Sequence, residues 1–472
     1  RKVVVWASRA LPLPAVEPTC HCGGMATLWI DLIALIAFSL VLWAPGLAME
    51  RLWPTARFGV MRPLAQATAG VAVWFGATLL LATTGSFNQS TIKLHAAVVV
   101  MAGLAASWWR LRRHTPAKDA TVAAPPKVAP WQAALLVLLW LPHLVRATSP
   151  VVSWDAATYH LTLPRRLLEE GGFPAVEWLF YGAWPQLVET LYGAAMAVRD
   201  HVLAKGLHAM FGGLWLATLV LTGAAWRARW AGVAAALAVL ASPVVAYELP
   251  IAYVDLAQAG FLLLAFSFGQ RACSADDRPQ ALAALLMAGV AAGLLAGSKL
   301  IGVGQAGIVG IGLLWQVHRG QANHLKPQDV IVRFGVIAIA MWLPWPIRSA
   351  LETGNPVFPL LTSWFGGPHW NPTLGTQLSD WHASIGMGRG AVDWLLLPWR
   401  VATQGGPEYG HFAGDIGAHW LGCGALAILA AVKPGPHRDL ARRSLALAAA
   451  LFVMWALTSQ QARLLLPALG PL

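Results

Sequence analysis

Residues 278–319 read RPQALAALLMAGVAAGLLAGSKLIGVGQAGIVGIGLLWQVHR, and this stretch decides the fold class. Two apolar runs, 280–298 and 301–317, lie on either side of Lys299. A helix needs about 20 mostly apolar residues to cross a bilayer, and somewhat fewer where its ends are buried in protein. The stretch therefore predicts two membrane-spanning helices joined by a very short turn.

Apolar runs of similar length recur along the whole chain. The others lie at 26–45, 65–84, 94–109, 131–145, 202–222, 230–247, 254–270, 331–347, 417–432 and 444–458, and a further one begins near Leu464. Strands of a membrane barrel alternate polar and apolar residues over only about ten positions. The sequence therefore predicts an all-α, polytopic transmembrane helical bundle of about 12–13 spans.

The composition excludes a soluble protein. The chain is 57% hydrophobic and 11% charged, whereas soluble domains carry about a quarter charged residues. Its 25 Trp against 6 Tyr suit a protein whose indole rings lie at membrane–water interfaces. The net charge of +12 comes from short basic clusters between apolar runs, not from one continuous basic face, so nucleic acid is excluded as a partner and membrane lipids are expected.

The distribution of charge along the chain predicts the orientation of the spans. One alternating set of loops, which includes Arg110, Arg112 and Arg113, is rich in Lys and Arg and is assigned to the cytoplasm. The opposite set holds most of the carboxylates, such as Asp155 and Asp255. Carboxylates contribute little to topology, so a function on the outer face is the simplest explanation for their bias.

Two segments on the predicted outer side, 146–201 and 348–417, are too long to be turns. Loops beyond about 15 residues are usually functional or disordered. Both contain aromatic residues and short amphipathic helical patterns, at 159–170 and 391–402. We therefore expect two ordered outer loops.

The first outer loop contains SWDAATYHLTLP at 153–164. Asp155 stands where a helix would begin, and a carboxylate there can cap the helix by accepting backbone N–H bonds. Tyr159 and His160 follow four and five residues later, so on a helix both would lie near the carboxylate. A carboxylate beside an imidazole at the membrane boundary can act as a general base on a hydroxyl group.

Further charges stand at the predicted outer ends of spans, where desolvation makes a lone ion costly. Glu248 and Asp255 bracket one tight turn, Lys299 lies in another, and Arg348 and Arg463 each end a span. Two or three cations at one depth would suit a phosphate whose lipid tail stays in the bilayer. The alternative for the lysine is that its side chain extends to the interface with no partner.

The sequence gives little support for a metal or cofactor. Cys20 and Cys22 have no second cysteine pair at a zinc-site spacing. His369, His382 and His411 of the second outer loop are irregularly spaced, so a divalent metal there is unsupported. The Trp residues of that loop fit either sugar stacking or an interfacial belt.

Several short motifs, taken in order, resemble the C-type (GT-C) membrane glycosyltransferases, the fold class of the protein O-mannosyltransferases and the lipid A aminoarabinose transferases. The resemblance covers roughly Trp131 to the end. It is carried by Trp154-Asp155 with Tyr159-His160-Leu161, Ala252-Tyr253-Val254-Asp255-Leu256, Gly297-Ser298-Lys299, Gly354-Asn355-Pro356-Val357-Phe358-Pro359, and Arg463 before Leu466-Pro467.

The resemblance implies an inverting transfer of a hexosyl or pentosyl group from a polyprenyl-phosphate donor to a lipid, glycan or protein acceptor. The reaction would take place on the extracytoplasmic side of a bacterial inner membrane. Asp155 would correspond to the first-loop acid that deprotonates or orients the acceptor, Lys299 with Arg463 would meet the donor phosphate, and Asp255 would orient a substrate. Many family members have a second acid after the first, where this chain has Ala156.

The apolar runs and this resemblance together divide the chain into three parts. We expect residues 1–24 to be an extension before a natural start at Met25, residues 25–130 to form N-terminal transmembrane helices, and residues 131–472 to form a GT-C-like catalytic module that continues beyond Leu472. Three other functions stay open: a transporter or flippase, a polysaccharide polymerase or ligase, and a non-enzymatic assembly subunit. A transporter would need charges at mid-bilayer depth, where Asp31 is the clearest carboxylate.

Overall fold

A computed structural model describes residues 25–49, 55–112, 129–174, 179–368, 370–407 and 411–472. Within these ranges the chain is helical and contains no β-strand beyond an isolated bridge between Gly406 and Gly414. The predictions about residues 1–24, including Cys20 and Cys22, lie outside the described residues, and so does the one about His369.

The helices of the first two thirds follow the apolar runs of the sequence. They are α1 Met25–Met49, α2 Arg62–Thr83, α3 Gln89–Arg112, α4 Pro130–Arg146, α5 Thr162–Glu170, α6 Leu187–Val198, α7 His201–Ala225, α8 Arg229–Leu240, α9 Pro243–Glu248, α10 Asp255–Cys273, α11 Arg278–Ser298 and α12 Leu300–His318. The stretch quoted first thus forms two helices with Lys299 alone between them.

The last third is more interrupted. Its helices are α13 Pro327–Val330, α14 Ile337–Trp342, α15 Pro344–Thr353, α16 Thr362–Phe365, α17 Pro372–Ser384, α18 Ala391–Thr403, α19 His419–Val432, α20 Arg438–Leu457 and α21 Leu466–Leu469. A π-helical segment, Ile331–Val336, joins α13 to α14. The amphipathic pattern predicted at 391–402 corresponds to α18.

Eight helical stretches within the described ranges are long and apolar enough to cross a membrane. They are Thr27–Ala48, Phe58–Thr83, Gln89–Trp109, His201–Ala225, Arg278–Ser298, Leu300–His318, Pro327–Thr353 and Arg438–Leu457. The helices α6, α8 and α19 are shorter but also apolar. The predicted all-α, polytopic membrane bundle is confirmed.

Helices α10 and α11 form the centre of the bundle and are buried on almost every side. Because lipid tails are as apolar as the helices, close packing of small residues drives helix association in a membrane. Helix α11 is rich in Ala and Gly and packs against α10, α12 and α14. A Cβ atom on Gly289 would press on the carbonyl oxygen of Arg333 and lie 2.9 Å from Cα of Phe334.

The ends of several central helices meet on one side of the bundle. Ion pairs and a cation–π contact join four segments there: the residues between α4 and α5, the turn before α10, Lys299 and the turn after α20. The two long loops lie there as well and touch each other, since the ring centroids of Phe180 and Trp370 are 5.4 Å apart. This end of the bundle carries the candidate site.

The packing of α11 gives a first prediction. Gly289→Ala is expected to destabilise the protein by about 1–3 kcal/mol, because the added methyl group has no space against the π-helical segment. Gly307→Ala on α12 is the control, since its Cβ would meet nothing within 4 Å. Thermal unfolding of the detergent-purified variants measures the difference, and equal midpoints for the two would contradict the packing.

Candidate active site

Asp155 forms an ion pair with Arg463, although 308 positions separate them in the chain. The carboxylate oxygen Oδ2 lies 2.6 Å from Nη1 of the arginine, and the hydroxyl group of Tyr159 donates to the same oxygen at 3.3 Å. Asp155 makes no capping hydrogen bond to the helical turn that follows it. Its carboxylate therefore pairs with Arg463 and accepts a hydrogen bond from Tyr159, and it does not cap the backbone of the turn.

The turn that carries Arg463 is fixed by hydrogen bonds to its backbone. The N–H of Ala462 donates to the carbonyl of Phe412 at 2.7 Å, and the indole N–H of Trp455 donates to the carbonyl of Gln461 at 2.7 Å. The guanidinium then lies over the ring of Tyr253, 4.7 Å from its centroid. This cation–π contact and the ion pair place one cation against both the first outer loop and the turn before α10.

The segment after Asp155 is a π-helical turn, Ala156–His160. Tyr159 lies near the carboxylate, as the sequence indicates, but His160 does not pair with it. Its Nδ1 lies 2.7 Å from Oε1 of Glu189 on α6. The rings of Tyr159 and His160 lie side by side, with centroids 4.0 Å apart, but they bond to different partners. The expected pairing of Asp155 with an imidazole is therefore replaced by a His160–Glu189 pair.

Lys299 is the single residue between α11 and α12, with extended backbone angles of φ −161° and ψ 148°. This conformation turns its side chain into the bundle, where Nζ lies 2.8 Å from Oδ1 of Asp255. Asp255 is the first residue of α10 and is fully buried. The lysine therefore pairs inside the protein and does not extend to the interface alone.

Glu248 lies at the end of α9 and is also fully buried. Neither of its carboxyl oxygens has a hydrogen-bond partner among the described residues. The turn between Glu248 and α10 is held by His208, whose Nδ1 lies 2.7 Å from the carbonyl oxygen of Ile251 and whose Nε2 accepts the backbone N–H of Leu256 at 3.3 Å. His208 thus positions the turn before α10. The sequence analysis missed this role, because a buried histidine on an apolar helix shows no distinguishing pattern.

These side chains form one electrostatic group, called here the acid–base cluster: Asp155, Glu248, Asp255, Lys299 and Arg463. Burial raises the pKa of Glu248 well above its usual range, and neighbouring Asp255 raises it further. Burial alone would lower the pKa of Arg463. The negative charges of Asp155 and Asp255 outweigh this effect and raise the pKa well above its usual value, so the guanidinium stays charged. The structure therefore brings together five ionisable residues from four distant parts of the chain.

Arg348 does not join the acid–base cluster. Its guanidinium donates to the carbonyl of Gly182, pairs with Glu352 at 2.7 Å and lies 4.3 Å from the ring centroid of Phe173. The predicted donor-binding arginine thus supports the short turn Phe180–Ala183 from the far side. The end of the apolar run at 331–347 indicated the depth of Arg348 in the bundle but not the direction of its side chain.

A cavity adjoins the cluster, with about 290 Å³ of empty space, part of it open solvent. The lining includes Tyr159, His160, Tyr181, Trp184, Glu189 and Lys299. Asp155 and Arg463 lie behind this lining, and Tyr159 connects the two places because its ring faces the cavity while its hydroxyl group bonds to Asp155. Burial lowers the pKa of His160 well below its usual range, helped by Lys299 and Arg463, so the imidazole is neutral.

Within the described residues, no group of three or more His, Cys, Asp or Glu side chains has an arrangement that could hold a metal ion. His382 of the second loop packs its ring against the neighbouring Trp381, with centroids 4.7 Å apart. The chemistry available at the cluster is that of carboxylates, a lysine and an arginine.

The buried Lys299–Asp255 pair gives a second prediction. Lys299→Met leaves a carboxylate unpaired in the interior, which typically costs about 3–5 kcal/mol. The double variant with Asp255→Asn is expected to recover much of that loss. Thermal unfolding of the two single variants and the double variant measures the coupling. The exposed pair of Arg165 and Glu169 is the matched control, with an expected coupling below about 1 kcal/mol, and similar couplings for both pairs would refute the assignment.

Glu248 gives a third prediction, with a pH dependence. A raised carboxyl pKa means that the folded protein holds this proton to a higher pH than the unfolded chain does. The contribution of Glu248 to folding stability therefore falls as pH rises above the unfolded pKa of about 4.3. Glu248→Gln removes this loss, so its stability relative to the wild type is expected to increase from about pH 5 to about pH 8. Glu170→Gln, at an exposed site, should show no such trend in unfolding temperature.

Comparison with known proteins finds a relationship at the level of fold. No family model and no curated protein matches the chain. The structure of ArnT from Cupriavidus metallidurans bound to undecaprenyl phosphate aligns with a TM-score of 0.52 and 18% sequence identity, over 72% of this chain and 58% of that one. The same protein in the apo state aligns with a TM-score of 0.50 and 18% identity, over 72% and 57%.

The chain spans less than two thirds of the length of these structures. An identity of 18% supports common architecture without identifying the reaction. ArnT has the GT-C fold. The expected GT-C architecture is confirmed, and this chain is a polytopic helical membrane protein with the fold of ArnT.

Proposed function

We propose that this protein is an integral membrane glycosyltransferase that moves a sugar from a polyprenyl-phosphate donor to an acceptor hydroxyl group on the extracytoplasmic face. The observation that supports this most directly is the acid–base cluster, in which the first-loop carboxylate Asp155 pairs with Arg463, and Lys299 pairs with Asp255 at the same end of the bundle. The ArnT structure that shares this fold was solved with undecaprenyl phosphate bound.

Asp155 is proposed as the general base. Among the three acids of the cluster, Asp255 and Glu248 are fully buried, whereas Asp155 is 8% exposed. In the reaction the acceptor oxygen forms a bond to the anomeric carbon, the bond from that carbon to the phosphate oxygen breaks, and the acceptor proton passes to Asp155. Attack opposite the leaving phosphate inverts the anomeric centre.

Lys299 and Arg463 are proposed to stabilise the negative charge of the departing phosphate. An arginine has five N–H donors in a fixed planar arrangement. In the structure Arg463 donates from Nη1 to Asp155 and from Nε to Gln461 at 3.0 Å, so further N–H groups remain for a phosphate oxygen. Fixed cations aimed at a developing charge need no rearrangement during reaction, which is a large source of catalysis.

A lipid-linked donor follows from the location. Nucleotide sugars are unavailable outside the cytoplasm, so an outer-face transferase needs a sugar activated on a lipid phosphate. The sequence has no Asp-x-Asp pair. Its Gly-x-Gly-x-x-Gly pattern at 302–307 lies inside α12 and does not follow a strand, so it forms no phosphate loop of the nucleotide-binding kind. The cluster at the end of the spans would meet a phosphate while its polyprenyl chain stays in the bilayer.

A transporter is less well supported, because its best mid-span candidate is neutralised. Asp31 forms an ion pair with Arg199, at the junction of α6 and α7. Asp31 lies in the second turn of α1 and its partner lies between two helices, so the pair stands near helix ends and not along a path through the middle of the bundle. A transport route would require charged groups at mid-depth.

The proposed base gives a fourth prediction. Asp155→Asn keeps the shape of the side chain but cannot accept the proton, so transfer is expected to fall by about 10²–10⁴-fold. The assay follows transfer of labelled sugar from undecaprenyl-phosphate sugars in membranes that contain the full chain. Asp393→Asn is the control, because Asp393 pairs with Arg400 at 2.6 Å on α18, outside the cluster. Undiminished transfer by the Asp155 variant would remove the proposed role.

A further inference from the structure

The cavity beside Lys299 has a polar lining with unused hydrogen-bonding capacity. Three buried atoms at this lining have no hydrogen-bond partner among the described residues: Nε2 of His160, Oε2 of Glu189 and the indole nitrogen Nε1 of Trp184. Buried polar atoms are nearly always paired in folded proteins, because an unmade bond costs about 1–3 kcal/mol. Three such atoms on residues that line one cavity call for water or a polar ligand as their hydrogen-bond partner.

The aromatic side chains around these atoms narrow the ligand class. The rings of Tyr159 and Tyr181 are stacked, with centroids 4.2 Å apart and planes inclined by 8°. The ring of Trp184 meets Tyr181 edge-on at 4.9 Å. The two tyrosine rings cover one face of each other, so the lining offers mainly aromatic edges. Together with a few fixed polar groups, these edges suit a small ligand that has both apolar C–H groups and a polar rim.

The His160–Glu189 pair selects for hydroxyl groups. The imidazole is neutral, so either its Nδ1–H donates to a Glu189 carboxylate, or a protonated Glu189 donates to Nδ1. In the first case Nε2 accepts a hydrogen bond, and in the second Nε2–H donates one. A hydroxyl group can donate and accept, so it satisfies both arrangements, while the indole N–H needs an acceptor such as a hydroxyl or ring oxygen.

We propose that this cavity is the sugar subsite, in which His160, Glu189 and Trp184 bind the hydroxyl groups of the glycosyl ring while Lys299 meets the phosphate. The inference rests on the proposed function and assigns the donor a direction, with its sugar toward α6 and its phosphate toward the start of α12. It also gives Glu189, which the sequence analysis did not single out, direct contact with the substrate.

The test compares lipids that differ only in the sugar. Full-length protein in lipid nanodiscs is titrated with undecaprenyl phosphate and with undecaprenyl phosphate carrying a hexose, an N-acetylhexosamine or a pentose. The wild type is expected to bind one of the glycosylated lipids about tenfold more tightly than the bare lipid. Glu189→Gln and Trp184→Phe should bring this ratio close to one and leave binding of bare undecaprenyl phosphate unchanged.

Matched controls separate sugar binding from structural effects. Glu169→Gln and Trp364→Phe change exposed residues of the two outer loops and should keep the wild-type ratio. The Trp184 variant keeps one aromatic ring but loses the N–H and part of the ring area, and it keeps the test valid if the Glu189 variant does not fold. Variants that weaken both lipids equally would show a structural role and overturn the inference.

The outcomes also distinguish the two levels of the proposal. A wild type that binds bare undecaprenyl phosphate and transfers sugar, but whose ratio is the same in every variant, overturns the sugar subsite alone. A wild type that shows no preference for any glycosylated lipid also overturns the sugar subsite alone, and the polar lining would then bind water. A wild type that neither binds the lipid phosphate nor transfers sugar removes the proposed function and the subsite with it.

Discussion

The need to pair charges away from water constrains the whole outer end of this protein. Transferring an ion into a low-dielectric interior costs several kcal/mol, and only a partner at close range offsets that cost. Asp155 meets this requirement through Arg463 at 2.6 Å, and Asp255 through Lys299 at 2.8 Å. Each pair joins segments far apart in the chain, so the pairs also fix how the loops and helix ends meet.

The bundle supplies the rigid frame that these pairs require. The small residues of α11 let α10, α12 and α14 approach closely, and the single residue between α11 and α12 then has a defined direction. Hydrogen bonds from His208 fix the turn before α10, and the carbonyls of Phe412 and Gln461 fix the turn of Arg463. Close packing in the apolar part thus determines the geometry of the polar part.

Much of the fold could be predicted from the sequence, because bilayer thickness sets the length of each apolar run. Depth was also predictable, and Asp155, Lys299 and Arg463 do lie at one end of the bundle. The direction in which each of these side chains points was not predictable, since it depends on which helix faces pack together. For that reason Arg348 was expected at the site and lies behind it, while Glu189 lines the cavity without a sequence signal.

The balance of charge in the acid–base cluster bears on how a phosphate could enter it. The three acids Asp155, Glu248 and Asp255 face the two cations Lys299 and Arg463, so full ionisation would leave an excess negative charge. Burial raises the pKa of Glu248 and keeps it protonated, which brings the cluster to neutrality. On the proposed function, a donor phosphate then meets two cations that are not outnumbered by ionised carboxylates. An ionised carboxylate at position 248 would repel the phosphate that the cations attract. The unpaired carboxyl group of Glu248 is therefore better understood as a neutral group that fills space than as a second base.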